Sequence, residues 1–430
     1  MKLLKSEYIF TISWPLFIFL SALFVRFLLF SFDDGVVPAA GDSPQYLTIA
    51  ESLRGGNGFS LNGHDPTASR MPLYPLFLAG ILSLPHASVR TVQIFQIILN
   101  CITCVIMYFL ATRLLDRRHG VLCGMLTALY IPMASQCLFI LTETLFTFLF
   151  VISLYILSEK HARTGILSAS GVVIGFASLV RPIGLIIAIF LMVWLVYVFG
   201  WRKSLPRLTA FSFCLGLILM PWIVRNAYVF HRLIPTYTSS GLALYNSYII
   251  PEEGSGYNEI KPEHSALFFG KNEADKSSYL TQITLRYIKN HPWLALKLIP
   301  SKLALLVYPF DIKWIYPGFP FRYNIFWGVI FMLAILSLLH CASFVTEKLS
   351  LVIFSLGALL FTSIVYYGSP RLRSPYDPFI ILLSSVGALW VWKQKRKWLR
   401  IAGIAGMNAL LLVAGDSLAV IEIIRRLKPW

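Results

Sequence analysis

Apolar runs of roughly twenty residues alternate with short polar clusters along most of the chain. The first run, from about Phe10 to Phe30, is long enough to cross a bilayer and too long to be the core of a signal peptide. Ten further runs predict membrane helices at roughly 89–112, 119–139, 143–158, 165–181, 183–200, 208–229, 324–344, 349–367, 376–392 and 400–421. The pattern therefore predicts an all-α polytopic membrane protein with about 11 transmembrane helices.

The polar interruption at residues 31–88 predicts a first outer loop. Within it, residues 42–53 predict an amphipathic helix, because apolar side chains recur at i, i+3, i+4 and i+7 and a pair of glycines follows. Asp42 or Ser43 is expected to cap this helix. The apolar stretch Pro72–Leu84 is too short to span and is expected to dip into the membrane edge.

A second outer segment, residues 230–323, is predicted to form a partly helical cap with a surface helix near Tyr279–Tyr287. The run 294–310 within it is expected to lie along the surface or to re-enter the membrane, since a crossing there would put the basic cluster after residue 392 on the wrong side. The predicted parts are a first membrane helix, the first outer loop, a six-helix block, the cap and a C-terminal membrane block, at residues 1–30, 31–88, 89–229, 230–323 and 324–430.

Composition excludes a soluble protein, because 57% of the residues are hydrophobic, only 13% are charged and the mean hydropathy is +0.70. The net charge of +17 does not indicate nucleic acid, since the basic residues form short clusters between apolar runs, as cytoplasmic loops do. That orientation puts Asp42, Glu143 and Arg181 near one outer surface. The six cysteines lie in or beside apolar runs, and the histidines show no ligand spacing. No cofactor is predicted, and a divalent metal ion stays an open alternative.

Two acidic residues are candidates for catalysis. Asp42, at a junction of loop and helix, suits a general base that takes the proton of an attacking hydroxyl, with capping of its helix as the alternative. Glu143 lies at the mouth of an apolar run, where a carboxylate is costly and indicates function. It could orient the acceptor or pair with an arginine, and the alternative is a helix N-terminal charge favoured by the macrodipole.

Five arginines are predicted near the same boundary, where guanidinium groups could hold the phosphate of a lipid-linked donor. Each could instead snorkel to the interface, but the positive-inside rule should deplete this face of arginine. Tyr46 and Tyr74 are candidates for a sugar groove, or else interface anchors. No nucleotide-binding fingerprint occurs, so a donor would have to be lipid-borne. The arginines are Arg70, Arg181, Arg225, Arg371 and Arg373.

The ordered motifs of these residues resemble the dolichyl-phosphate-mannose protein mannosyltransferase-like family of GT-C glycosyltransferases, which includes bacterial aminoarabinose lipid A transferases. The motifs are Gly41-Asp42-Ser43-x-x-Tyr46, Arg70-x-Pro72-Leu73-Tyr74-Pro75, Thr142-Glu143-x-x-Phe146, Val180-Arg181-Pro182, Pro221-Trp222-x-x-Arg225-Asn226 and Arg371-x-Arg373-x-Pro375. The resemblance implies a GT-C-type helical bundle, a polyprenyl-phosphate sugar donor and inversion at the anomeric carbon. It also implies that Asp42 is the catalytic aspartate, that Glu143 is the acidic residue of the next outer loop, and that Arg70 contacts lipid phosphate.

Ser43 stands where eukaryotic protein mannosyltransferases have Glu, and no lumenal insertion is visible. The resemblance therefore favours an enzyme of a bacterial inner membrane, with its site facing the periplasm and an acceptor that is a glycolipid, glycan or protein. Arg70, Arg225, Arg371 and Arg373 are the expected donor-phosphate ligands, and Tyr46, Tyr74 and Arg181 are expected to line the substrate groove. The alternatives are a flippase for lipid-linked saccharides, or a polymerase or ligase that uses a diphosphate donor.

Overall fold

A computed structural model describes residues 2–33, 35, 41–159, 164–249, 260–265, 271–307 and 325–393. Every regular element in these ranges is helical, and the nearest approach to a strand is one isolated bridge between Ser60 and Pro66. The all-α prediction is therefore confirmed. The helices are α1 Lys2–Phe32, α2 Asp42–Arg54, α3 Leu73–Leu82, α4 Val89–Leu114, α5 Arg117–Leu129, α6 Ile131–Gln136, α7 Glu143–Leu157, α8 Thr164–Val180, α9 Ile183–Phe199, α10 Trp201–Phe230, α11 Ser240–Tyr248, α12 Pro262–Ser265, α13 Glu273–Asn290, α14 Pro292–Val307, α15 Ile325–His340, α16 Ala342–Lys348, α17 Ser350–Val365, α18 Pro370–Arg373 and α19 Asp377–Lys393.

Four of the described helical segments are long and apolar enough to cross a membrane: Ser13–Phe32, Val89–Leu114, Trp201–Phe230 and Pro370–Lys393. The pair α15 and α16 becomes a fifth if the two helices, bent by 98°, form one broken span. Shorter apolar helices, among them α7, α8, α9 and α17, pack between these. The chain is thus a multi-pass membrane protein. The span predicted at 400–421, and the basic cluster beyond Lys393, lie outside the described residues.

The first loop folds as α2 packed on α3. Gly41, at φ 97°, takes the position before α2 and supplies no side-chain cap, so Asp42 is the first helical residue and the expected capping by Asp42 or Ser43 is wrong. The helix ends at Arg54, Gly55 is its C-cap, and Gly56 follows at φ 77°. Its apolar face is buried, and the Tyr46 ring meets the Tyr74 ring of α3 edge to face at 5.1 Å.

The span predicted at 119–139 is broken at Tyr130, between α5 and α6. Pro132 has no amide hydrogen, so the carbonyl of Ala128 loses its helical partner. Arg26 of α1, fully buried, donates to that carbonyl and bonds Asn100 of α4 through Nε at 2.9 Å and Nη2 at 2.8 Å. It therefore repairs the backbone at the break and locks three helices together.

The second outer segment contains α11 to α14 within the described residues. The predicted surface helix near Tyr279 is the central part of α13. The run 294–310 overlaps α14, a 16-residue helix with Pro300 inside it. Whether α14 crosses the membrane stays a prediction. Residues 202–207, expected to form a basic loop, are instead the first turns of α10.

Candidate active site

Five side chains from separate parts of the chain meet in one charged cluster: Asp42, Arg70, Glu143, Arg181 and Arg371. Asp42 opens α2 and Glu143 opens α7, so both carboxylates occupy first turns, where the helix dipole favours negative charge. Arg70 precedes α3, and Arg371 lies on α18. The cluster therefore joins the first loop, the six-helix block and the C-terminal block at one point.

Arg371 is the centre of the charged cluster because it bridges both carboxylates. Its Nη1 donates to Oδ2 of Asp42 and its Nε to Oε1 of Glu143, both at 2.6 Å. Arg70 Nη2 donates to the other Asp42 oxygen, Oδ1, at 2.5 Å. Arg181 Nη1 lies 2.8 Å from Glu143 Oε1 but outside hydrogen-bond geometry, so its attraction is ionic. Both oxygens of Asp42 are therefore occupied by guanidinium groups.

The charged cluster is sealed on one side and open on the other. The side chain of Glu143 is 2% exposed, that of Asp42 21% and that of Arg371 46%. Burial raises the pKa of the Asp42 carboxyl, but the guanidinium groups of Arg371 and Arg70 outweigh burial and hold this pKa below its ordinary value of 3.8. Asp42 is therefore ionised at neutral pH and faces the open side.

Positive charge exceeds negative charge in the cluster, with three guanidinium groups against two carboxylates and a net charge of +1. Arg70 stacks over the Tyr46 ring at 5.6 Å. Its Nε is buried, and among the residues that the structure describes it has no hydrogen-bond partner. A buried donor without a partner is costly, so the site has a spare N–H and a spare positive charge for an anionic ligand.

The two tyrosines predicted for the substrate groove are largely buried and lie behind the charged cluster. Tyr46 is 7% exposed and Tyr74 is fully buried. The hydroxyl of Tyr74 donates to Gln96 Oε1 at 2.9 Å, and Gln96 Nε2 donates in turn to the carbonyls of Cys137 and Phe139. Gln96 thus connects the two tyrosines that pack behind Arg70 with the irregular segment that leads to Glu143.

Gln96 belongs to a row of amides on α4 that sequence reasoning missed. Gln93 donates to Asp33 Oδ2 and to the Leu138 carbonyl, and Asn100 donates to the Met133 carbonyl. Their spacing puts these side chains on one face of α4, and that spacing inside an apolar run was the available signal. The row satisfies backbone carbonyls of the segment 133–139, which α6 leaves without regular helix bonds.

Two predicted donor ligands make different contacts. Arg225 Nη1 donates to the Thr67 carbonyl at 2.7 Å, and its guanidinium packs on Trp222, so it holds the loop that precedes Arg70. Arg373 pairs with Asp377 at 3.0 Å, with exposures of 4% and 2%. Arg225 therefore bonds the first-loop backbone and Arg373 bonds Asp377, partners other than Asp42 and Glu143.

A metal ion would have to displace an arginine from the charged cluster. Asp42 and Glu143 are its two carboxylates, and Arg371 occupies the space between them. Within the described ranges, no three His, Cys, Asp or Glu side chains form a group with metal-binding geometry. The arrangement of the described side chains thus suits an anion better than a divalent cation.

Comparison with known proteins links this geometry to a class. The family model for dolichyl-phosphate-mannose-protein mannosyltransferase matches residues 66–224, which include Arg70, Glu143 and Arg181. The archaeal oligosaccharyltransferase AglB from Archaeoglobus fulgidus, solved with an inhibitory peptide and a dolichol-phosphate, has a TM-score of 0.54 at 15% identity over 97% of this chain and 56% of its own. The same enzyme tethered with an acceptor peptide gives 0.52 at 15% identity, over 97% and 55%.

ArnT from Cupriavidus metallidurans bound to undecaprenyl phosphate has a TM-score of 0.43 at 15% identity, over 88% of this chain and 78% of its own. No curated protein matches the chain by sequence. The chain spans about 56% of the length of AglB. Residues 66–224 match the family model predicted from the motifs, and the helical fold is that of AglB, a GT-C enzyme.

Proposed function

We propose that this chain is an inverting glycosyltransferase that moves a sugar from a polyprenyl-phosphate donor to an acceptor hydroxyl. The observation that carries the proposal is the charged cluster, in which an ionised carboxylate, Asp42, lies against Arg70 and Arg371 with one positive charge in excess. A phosphate leaving group needs stabilisation of charge more than it needs a proton. The cluster offers such stabilisation beside a base.

Asp42 takes the proton of the acceptor hydroxyl while the acceptor oxygen bonds the anomeric carbon. The bond from that carbon to the phosphate oxygen breaks, and the polyprenyl phosphate leaves with the electron pair. Arg70 and Arg371 hold the departing phosphate, with the unpartnered Nε of Arg70 as one donor. AglB, which shares the fold, is solved with a dolichol-phosphate, and this supports a lipid-phosphate ligand for the same fold here.

Donor binding also prepares Asp42 for its role as base. Before binding, guanidinium groups occupy both of its oxygens and lower its pKa, which makes the carboxylate a weak proton acceptor. The donor phosphate competes for the same guanidinium groups. As they turn toward phosphate, an Asp42 oxygen is released and its pKa rises, so that the base becomes effective when the donor is in place.

Glu143 acts by positioning the arginines rather than by touching the acceptor. Its side chain is nearly sealed from solvent, and Oε1 holds Arg371 while Arg181 balances its charge. We place the site at the outer face of a bacterial inner membrane, on the strength of the basic clusters between the apolar runs. The acceptor is an envelope glycolipid, glycan or protein.

The test is sugar transfer by purified full-length protein supplied with polyprenyl-phosphate sugars. Asp42→Asn keeps the size and hydrogen-bond acceptor of the side chain, and we expect transfer to fall by about 10²–10⁴-fold. Asp65→Asn, an exposed carboxylate in the same loop, is the matched control and should keep the wild-type rate. Transfer at the wild-type rate by Asp42→Asn would show that Asp42 is not the general base. Transfer from polyprenyl-diphosphate sugars alone would favour the polymerase or ligase alternative.

A further inference from the structure

A polar cleft of about 310 Å³ lies between the segment 232–238 and helix α13. The volume is at the lower end of the range for ligand pockets, about 300–1,000 Å³. Hydroxyl and amide side chains are the majority of the cleft's lining residues, and apolar side chains complete the walls. Those used in the argument below are Thr236, Tyr237, Thr238, Ser278 and Gln282.

These five side chains have no hydrogen-bond partners within the described ranges, whereas their neighbours do. Ser240 donates to the Tyr237 carbonyl at 3.2 Å, and Thr281 donates to the Ser277 carbonyl at 2.8 Å. Two backbone groups on this side are paired, because Trp222 donates to the Thr236 carbonyl and the Thr238 amide donates to the Ala68 carbonyl. The five side chains are therefore hydrogen-bonding groups that the cleft offers to a ligand.

The cleft carries no spare charge. Arg232 is the charged residue of its lining, and Arg232 Nη2 already pairs with Asp275 Oδ1 at 2.6 Å. An anionic ligand would meet a neutralised arginine. A neutral polyhydroxyl compound fits, because it offers many hydrogen bonds to free hydroxyl and amide groups.

The cleft is tied to the charged cluster by the backbone just before Arg70. The Thr238 amide bonds the Ala68 carbonyl, and Ser239 Oγ bonds the Ser69 carbonyl, both at 2.9 Å. Tyr237 lies close enough to Arg70 for the guanidinium charge to act on its hydroxyl. A ligand held in the cleft is thus beside the loop that delivers Arg70 to Asp42.

We propose that this cleft is the acceptor subsite and that the acceptor is a neutral saccharide, of a glycan or of the sugar part of a glycolipid. Its role as acceptor subsite rests on the proposed glycosyltransferase function. The binding of neutral saccharide does not, and it can be measured without transfer.

The experiment measures binding by saturation-transfer NMR on the purified full chain in detergent. The probes are a neutral N-acetylglucosamine trimer, a neutral maltotriose, an acidic galacturonate trimer and a serine-containing hexapeptide. Ser278→Trp fills the cleft, and Ser343→Trp places the same bulk on an exposed position of α16 as the matched control.

We expect a neutral trimer to bind with a Kd on the order of 1 mM. Ser278→Trp should weaken it at least about tenfold, whereas Ser343→Trp should not change it. Absence of binding by both neutral trimers, equal binding by Ser278→Trp, or stronger binding of the acidic trimer or the peptide overturns the proposal. If the wild type binds saccharide but transfers no sugar, the proposal of a saccharide-binding cleft stands and the proposed glycosyltransferase function is contradicted.

Discussion

Arg371 and Arg373 lie two residues apart on α18, but their side chains differ in exposure and in bonding partners. Arg371 is 46% exposed and bridges Asp42 and Glu143, which come from distant parts of the chain. Arg373 is 4% exposed and bonds Asp377, one turn further on, as well as the Leu306 carbonyl at 2.7 Å. Its guanidinium also lies 3.6 Å from the Trp327 ring centroid.

The difference shows that residue type and position along the chain do not identify a ligand-binding arginine. Arg373 has one carboxylate, a carbonyl and an aromatic ring around it, and Tyr130 adds a hydrogen bond to Asp377. Such a sealed pair is weak support for function, because burial costs much of what the attraction contributes. Arg371 shares its carboxylates with two other guanidinium groups and stays open to solvent, so it can change partners.

The largest effect expected from this comparison concerns stability. Arg373→Gln leaves the buried Asp377 carboxylate without its cation, and we expect a loss of about 3–5 kcal/mol in the free energy of unfolding. Thermal unfolding of the purified protein in detergent measures it. The double variant Arg373→Met with Asp377→Leu removes both charges and should recover most of the loss. An unchanged melting temperature in Arg373→Gln would mean that this pair is not structural.

Arg371→Gln should have the opposite profile, with activity lost and the fold kept. We expect transfer to fall by about 10²–10³-fold, because a donor to the leaving phosphate is removed. The side chain is partly exposed, so the melting temperature should change little. Arg371→Lys retains the positive charge but cannot bridge both carboxylates. Its transfer rate should therefore lie between those of the wild type and Arg371→Gln. A large drop in melting temperature with normal transfer by the surviving protein would reverse the roles assigned to Arg371 and Arg373.

Much of the charged cluster could be predicted from the sequence, for a physical reason. Alternating apolar runs put Asp42, Glu143 and Arg181 at one boundary, and unsolvated carboxylates attract guanidinium groups there. The same reasoning selected Arg225 and Arg373, because a boundary position does not tell which way a side chain points. Arg225 bonds carbonyls of the first loop, and Arg373 bonds Asp377, four residues further along the chain.

The fold shows the same limit. Helix existence followed from apolar length, but the break at Tyr130 depends on Pro132 and on Arg26, a residue more than a hundred positions away. Apolar length does not show which groups a buried arginine such as Arg26 will bond. Arg26 bonds Asn100 and carbonyls that the break exposes. Partners of that kind exist only once the helices are packed.

A smaller effect is expected where the cluster depends on its buried support. Gln96→Leu removes the links from Tyr74 to the carbonyls of Cys137 and Phe139, and Gln96→Glu keeps only an acceptor for Tyr74. We expect kcat to fall about tenfold in both variants with KM nearly unchanged, since the cluster is displaced slightly rather than removed. Thr103→Val on the same helix is the control, as within the described residues its hydroxyl bonds only the Leu99 carbonyl. A normal kcat with a lowered melting temperature would limit Gln96 to a structural role.

The smallest effect is a shift in pH dependence, which distinguishes the open cluster from the sealed pair. In the free enzyme the pKa of Asp42 is below 3.8, so Asp42 stays ionised and kcat/KM should hold until the pH falls below that value. When donor phosphate draws Arg70 and Arg371 away, the pKa of Asp42 rises. The acidic limb of kcat, which reports the complex, should therefore lie at higher pH than the acidic limb of kcat/KM. Rate profiles with a polyprenyl-phosphate sugar measure both, and Asp42→Asn should lose the two limbs together. A kcat limb at the same or lower pH would show that the guanidinium groups stay on Asp42 while the sugar is transferred.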